Sequence, residues 1–307
     1  MVHRPVLALT SAALALTSAA AATPPSEPVS DTPLDEIVFG QTDRYDRMTV
    51  PVTIAGQGPF RFMIDTGSQA TAVTPRLRDQ LQMRTLGTAT VIGMAARKDV
   101  ELVQLDGLEF AARVFDALQA PLLEAHHIGA DGILGLDSLQ DLRVMVDFRE
   151  GTIAVNDAKA LGGNRGYEIV VRARNKLGRL IITNATLDGV RTAVIIDTGA
   201  QGSMGNIALQ KRLGARHAHE VTTTDVTGSV VRSPLGYARL VEIDRMQISS
   251  VPIAFADAPA FAALGLAGKP AMVLGIGDLR HFDRIAIDFA QRTILFDLPR
   301  GSERSPG

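Results

Sequence analysis

Phe62-Met63-Ile64-Asp65-Thr66-Gly67-Ser68 and Val194-Ile195-Ile196-Asp197-Thr198-Gly199-Ala200 are one motif written twice, 132 residues apart. In each, an apolar run runs straight into a carboxylate, and Thr and Gly follow. The same offset of 132 carries Glu36 to Glu168, Ile37 to Ile169 and Leu81 to Leu213. Further on, Val91-Ile92-Gly93 matches Val226-Thr227-Gly228 at 135, Ile133-Leu134-Gly135 matches Val273-Leu274-Gly275 at 140, and Val146-Asp147-Phe148 matches Ile287-Asp288-Phe289 at 141. A drifting offset means short insertions in the second copy, which loops tolerate.

Each copy reads mainly as strands rich in Val, Ile, Thr and Phe between Gly, Asn and Asp turns. They are expected at Glu36 to Phe39, Met48 to Ala55 and Phe60 to Ile64, and again at Glu168 to Arg172, Leu180 to Leu187 and Arg191 to Ile196. One helix follows each Asp-Thr-Gly. Thr74 with Pro75 opens the first, and Asn206 caps a second that Gly214 ends. The reading is all-β, with a lobe over 36–155, a linker over 156–167 marked by Gly162-Gly163, and a lobe over 168–299.

Each Asp sits at the buried end of a strand with a tight turn behind it. Such a carboxylate is desolvated and needs N–H donors, which Gly67 and Gly199 offer by close approach. Two carboxylates related by a pseudo-two-fold axis can meet at the lobe interface. There they cannot both ionise, so they share one proton and form an acid and a base in one site. A lone Asp-Thr-Gly would carry little weight; two in register within a duplication carry a great deal.

On these residues the chain resembles the aspartic proteases, and the retropepsin-like branch more closely than the pepsins. Asp-Thr-Gly-Ser at 65–68, Asp-Thr-Gly-Ala at 197–200 and a later hydrophobic-hydrophobic-Gly in each copy carry the resemblance. It implies two pseudo-symmetric retropepsin-like lobes in one chain, a peptidase dyad of Asp65 and Asp197, and a second motif that passes behind each active loop. It also implies that Thr66 and Thr198 lock the lobes by reaching across the axis, with Gly67, Ser68, Gly199 and Ala200 as loop support. The tyrosine of a pepsin flap has no counterpart near Ile92-Gly93-Met94, since the three tyrosines are Tyr45, Tyr167 and Tyr237. Ile92, Gly93, Thr227 and Gly228 instead suggest two flaps, one per lobe. Peptide hydrolysis by a dyad-activated water, with no cofactor, is the function this implies.

Ser68 stands where the second copy has Ala200. A serine hydroxyl donating to Asp65 would favour the charged form, making Asp65 the ionised member and Asp197 the proton holder. Asp137 and Asp278 are expected to cap the helices that follow them, and Asp147 and Asp288 to be structural hydrogen-bonding groups. His126-His127 and His217 with His219 lack a matching set in the other copy and suggest no metal.

Composition closes off other classes. Lys+Arg 31 against Asp+Glu 33 gives a net charge of −2, so bulk charge invites neither nucleic acid nor anionic lipid. The chain has no cysteine, which removes thiolate nucleophiles, disulfides and thiolate metal sites. His3 and Arg4 precede an Ala- and Leu-rich run from Val6 to Ala22 that reads as a signal peptide, with cleavage before Thr23. Residues 23–35 then form a Pro-rich linker and 300–307 a polar tail. The expected product is an exported, periplasmic monomer acting on peptide or protein, without stable membrane insertion. Two rivals stand beside it. One is the duplicated sugar-kinase type of ATPase, which needs longer, helix-rich halves; the other is a periplasmic peptide-binding or scaffold protein of the same fold without turnover.

Overall fold

The computed structural model describes residues 37–38, 41–42, 48–214 and 219–299. The expected signal segment, the Pro-rich linker, Tyr45, His217 and the polar tail lie outside these. Among the described residues no helix is long and apolar enough to cross a membrane.

Two β-rich lobes are joined by a shared six-stranded sheet. In spatial order its strands are Ile37–Val38, Thr152–Asn156, Arg143–Asp147, Arg284–Asp288, Thr293–Asp297 and Ile169–Arg172. The seam between lobes is the antiparallel pair of Arg143–Asp147 with Arg284–Asp288, centred on Met145 opposite Ala286. Alternate residues Val144, Val146, Ile285 and Ile287 are buried in one continuous core. Across the same seam the buried Arg143 guanidinium meets Asp288 at 2.7 and 3.0 Å, and its remaining donors go to Gly163 and Asn164. Every edge of that buried cation is thereby engaged, which such a group requires. Asp147 and Asp288 are hydrogen-bonding groups as expected. Asp147 accepts from the backbone of Arg149 and Glu150, and Asp288 accepts from Arg143 and the backbone of Gln291.

Each lobe then repeats one construction. In the first, Gln57–Ile64 lies between the antiparallel Met48–Ile54 and the parallel Gly132–Leu134. In the second, Val190–Asp197 lies between the antiparallel Arg179–Leu187 and the parallel Ala271–Gly275. Both active strands are therefore central and buried, consistent with their unbroken apolar runs. The helices after the two loops are Pro75–Leu81, with Thr74 accepting from the N–H of Leu77, and Ile207–Leu213, with Asn206 accepting from that of Leu209. Gly214 takes the left-handed conformation that ends the second.

Four further short helices accompany them among the described residues. Two of these, Leu136–Leu139 and Ile276–Leu279, are the helices expected beside Asp137 and Asp278 but correct the capping role, because Gly135 and Gly275 occupy their N-caps in place of the two aspartates. The two aspartates sit inside the first turn and reach backwards. Asp137 holds the N–H and hydroxyl of Thr71, and Asp278 takes the hydroxyl of Ser203. They tie the segment after each active loop to the motif behind it.

Candidate active site

Asp65 and Asp197 end two central strands that face each other across the pseudo-two-fold axis. Each carboxylate is first folded back on its own loop. Asp65 Oδ1 accepts from the N–H of Gly67 at 2.8 Å and of Ser68 at 3.0 Å; Asp197 Oδ1 accepts from Gly199 at 2.8 Å and Ala200 at 3.2 Å. Each carboxylate also packs on the glycine of the other loop. A β-carbon built on Gly67 would overlap the carboxylate of Asp197, and one built on Gly199 would overlap that of Asp65. Only a glycine allows the two acids this close.

The threonines cross the axis. Thr66 Oγ1 donates to the Ile196 carbonyl at 3.0 Å and Thr198 Oγ1 to that of Ile64 at 2.7 Å. Each hydroxyl also accepts the other threonine's N–H at 3.2 Å. Four buried hydrogen bonds thus form a closed square between lobes, with every donor and acceptor in it satisfied. Behind the loops, the N–H of Asp65 donates to Leu134, that of Leu136 to Ser68 and that of Ile276 to Ala200. The hydrophobic-hydrophobic-Gly motifs supply these supports.

Burial pushes the Asp65 carboxyl well above the usual carboxylate range, and the Asp197 charge and its hydrogen bond push the same way; the Gly67 N–H and Arg179 oppose them. The expected division of charge rested on a hydrogen bond from the Ser68 hydroxyl to Asp65, and the hydroxyl is turned elsewhere. The Ser68 hydroxyl donates to the Ala70 carbonyl at 2.9 Å and leaves Asp65 to the backbone. Since the N–H groups of Ser68 and Ala200 perform the same task, the Ser-for-Ala difference does not single out Asp65 as the ionised member.

Two hairpins, one from each lobe, meet at their tips. Thr85–Ile92 pairs with Arg97–Leu105, and the N–H of Gly93 donates to Ala96 across the first turn. His219–Thr224 pairs with Val230–Ile243, and the N–H of Asp225 donates to Ser229 across the second. Ile92 ends its strand, Gly93 opens its turn, and Thr227 and Gly228 lie within theirs. The two turn closures equate Gly93 with Asp225, at the offset of 132 that holds through the active loops, and not with Gly228 as the sequence match has it.

The tips interlock. Ala95 N–H donates to Asp225 Oδ2 at 3.0 Å, Lys98 Nζ donates to the Thr227 carbonyl at 2.8 Å, and the His127 ring lies on Gly228. Each tip puts an apolar side chain into the other lobe. Met94 packs on the cluster holding Ile195, Met204 and Val273, and Val226 on the cluster holding Met63, Ala72 and Ile133. The lining residues match under the duplication. In each lobe they are the residue two before the Asp, the residue seven after it and the residue two before the later Gly.

Arg179 and Asp225 went unmarked in the sequence. Arg179 is matched by Arg47 at the offset of 132, a signal that was there to be read, although Arg47 lies outside the described residues. Asp225 carries no motif. The rings of His126 and His127 lie 3.9 Å apart at a tilt of 51°, and no group of three or more metal-ligating side chains occurs among the described residues.

Two lobes of one construction, closed by a shared sheet and carrying a carboxylate pair on crossed loops, define the acid-protease fold in single-chain form. The chain belongs to the aspartyl protease family, whose profile matches residues 50–138 and 183–277, one stretch in each lobe. No curated protein matches it.

Proposed function

We propose that this chain is an aspartic endopeptidase in which Asp65 and Asp197 share one proton and activate a water between them. The observation that carries this reading is the mutual seating of each carboxylate on the opposite loop's glycine. It brings the buried Asp65 and the half-buried Asp197 together where only one can ionise. The ionised carboxylate takes a proton from water as its oxygen adds to the scissile carbonyl carbon. The protonated one gives its proton to the carbonyl oxygen, leaving a neutral tetrahedral diol. Collapse of the diol breaks the C–N bond, with the proton passing to the leaving amine and the dyad returning to its one-proton state.

The two hairpins act as flaps. An extended peptide pairs its backbone with them and sets its side chains in the apolar clusters that Met94 and Val226 occupy here. Export to the periplasm and action as a monomer complete the reading, on the signal-like N-terminus and on a dyad built wholly within one chain.

Cleavage of a quenched fluorogenic peptide library by the full chain, with and without a statine-type inhibitor, tests the activity. Asp65→Asn and Asp197→Asn should each abolish inhibitor-sensitive cleavage in folded protein. Binding of library peptides without turnover in the unaltered chain would favour a binding protein, and full activity in either variant would overturn the dyad.

A further inference from the structure

Arg179 opens the strand Arg179–Leu187 in the second lobe and reaches the active loop of the first. Its Nε donates to the Gly67 carbonyl at 2.8 Å, and Nη2 donates to the same oxygen. That oxygen belongs to the peptide whose N–H, on Ser68, donates to Asp65 Oδ1. A cation on a peptide oxygen polarises the unit and strengthens its N–H as a donor. The guanidinium therefore acts on Asp65 through one peptide bond, and it also acts on Asp197 through space.

The guanidinium is largely buried, which disfavours its charge, and the anions that oppose this are Asp197 and then Asp65. Other charged groups around the site are engaged elsewhere. Asp137 and Asp278, behind the loops, are turned to Thr71 and Ser203. At the hairpin tips, Asp225 and Lys98 bind the backbone of the opposite hairpin, while the His127 ring covers Gly228. A buried cation needs one compensating negative charge, and a carboxylate pair that shares a proton carries one.

We propose that Arg179 is a positioning residue for the dyad: it fixes the Gly67–Ser68 peptide and serves as the counterion of the singly ionised pair. The inference rests on the dyad reading above. Its sign follows from charge. A nearby cation favours ionised carboxylates, so removing it raises the pH at which the pair loses its first proton, and more of the protein is left doubly protonated and inactive in acid.

The test is a carboxyl NMR titration of full-length protein labelled with carbon-13 at the aspartate carboxyls, the dyad signals being assigned by their loss in Asp65→Asn and Asp197→Asn. In Arg179→Gln the lower apparent pKa of the pair should rise by about one unit or more. In Arg179→Lys it should stay within about 0.3 unit of the unaltered protein, because the charge remains. That variant should still lose about tenfold in kcat on the peptide library, because an ammonium lacks the fork that grips the carbonyl. An unmoved titration in folded Arg179→Gln, or an equal shift in Arg179→Lys, overturns the proposal.

Should Arg179→Gln fail to fold, Asp197→Asn with Arg179→Gln removes one charge of each sign from the site together. The Asp65 titration in that double variant must lie above that in Asp197→Asn alone, and coincidence of the two overturns the proposal. Failure of the dyad reading would be visible separately, as cleavage that survives Asp65→Asn.

Discussion

Gly67 lies against the carboxylate of Asp197 with no space for a β-carbon between them, and Gly199 stands in the same relation to Asp65. The backbone atoms that satisfy one acid are thus the surface on which the other rests. Adding a methyl group at either glycine forces the loops apart. Gly67→Ala and Gly199→Ala should each lower kcat/KM on the peptide library by at least about 10²-fold, since small misplacements of reacting groups cost that much. Overpacking should also remove about 1–3 kcal/mol of stability. Activity near that of the unaltered protein in either variant would show that the loops part without consequence.

The square of hydrogen bonds at Thr66 and Thr198 makes a different prediction, one about stability. Thr66→Val keeps the shape of the side chain but leaves the Ile196 carbonyl and the Thr198 N–H buried without this partner. Each such variant should lose about 1–3 kcal/mol in denaturant unfolding. The double variant should cost less than the two singles added together, because both remove members of one network. Strict additivity would mean that the four bonds act independently.

The pH dependence of stability follows from the raised Asp65. A carboxyl whose pKa is higher in the folded than in the unfolded state stabilises the fold at low pH. That stability fades as pH rises past the unfolded value and through the folded one. Asp137 and Asp278 are also raised, chiefly by burial. Thermal unfolding should therefore show higher stability in mild acid than at neutral pH as far as these groups contribute. Asp65→Asn should be more stable than the unaltered protein at pH 7, by on the order of 1–3 kcal/mol, with the gap closing toward pH 4. A gap that widens in acid would reverse the assigned direction.

Gly93 and Asp225 face each other at the crossed hairpin tips, where a β-carbon on Gly93 would lie 2.9 Å from the Asp225 carboxyl carbon. The β-carbons of a cysteine pair at these positions fall within disulfide reach. The chain has no cysteine of its own, so Gly93→Cys with Asp225→Cys would form its sole bridge. Oxidised, this variant should lose peptide cleavage by at least about tenfold because the tips cannot part to admit a chain. Reductant should restore it. Equal activity in both states would mean that substrate enters without separating the tips.

Arg143 and Asp288 are both about 1% exposed, which makes their pair a stability element and not a surface contact. Arg143→Met strips the buried carboxylate of its partner and should cost about 3–5 kcal/mol in equilibrium unfolding. Replacing both residues with apolar ones should recover much of that loss. A single variant within about 0.5 kcal/mol of the unaltered protein would show that Asp288 is satisfied by the Gln291 N–H alone.

The duplication made the fold legible because its repeat is carried by residues with few alternatives. Asp65, Gly67, Gly135 and their partners sit where backbone approaches backbone, so their identities are fixed by geometry. The capping residues Thr74 and Asn206 were readable for a similar reason, since a short polar side chain before an apolar-periodic run has one common use. Arg179 was harder to read. An arginine at the start of a strand ordinarily faces solvent, and only the lobe packing turns this one inward onto Gly67. The Ser68 hydroxyl misled because sequence does not rank the acceptors near a serine; it donates to the Ala70 carbonyl, two residues on. The offset of 135 at the hairpin tips failed because a three-residue match of small and β-branched residues does not fix a register: the closing residues of the two turns stand at offsets of 132 and 133.

The register of the shared sheet has one more consequence. Arg143 stands opposite Asp288 and Asp147 opposite Arg284, and the duplication equates Asp288 with Asp147 and Arg284 with Arg143. Carried through that symmetry, the strand 143–147 is complementary to itself: Arg143 of one copy would meet Asp147 of another, about a centre at Met145. A first lobe standing alone would present an unpaired edge matched to its own kind. Joining both halves in one polypeptide replaces that encounter between molecules with one inside a molecule, at an effective concentration set by a short tether. Assembly of the two acids then no longer depends on dilution, and the site stays whole at any protein concentration.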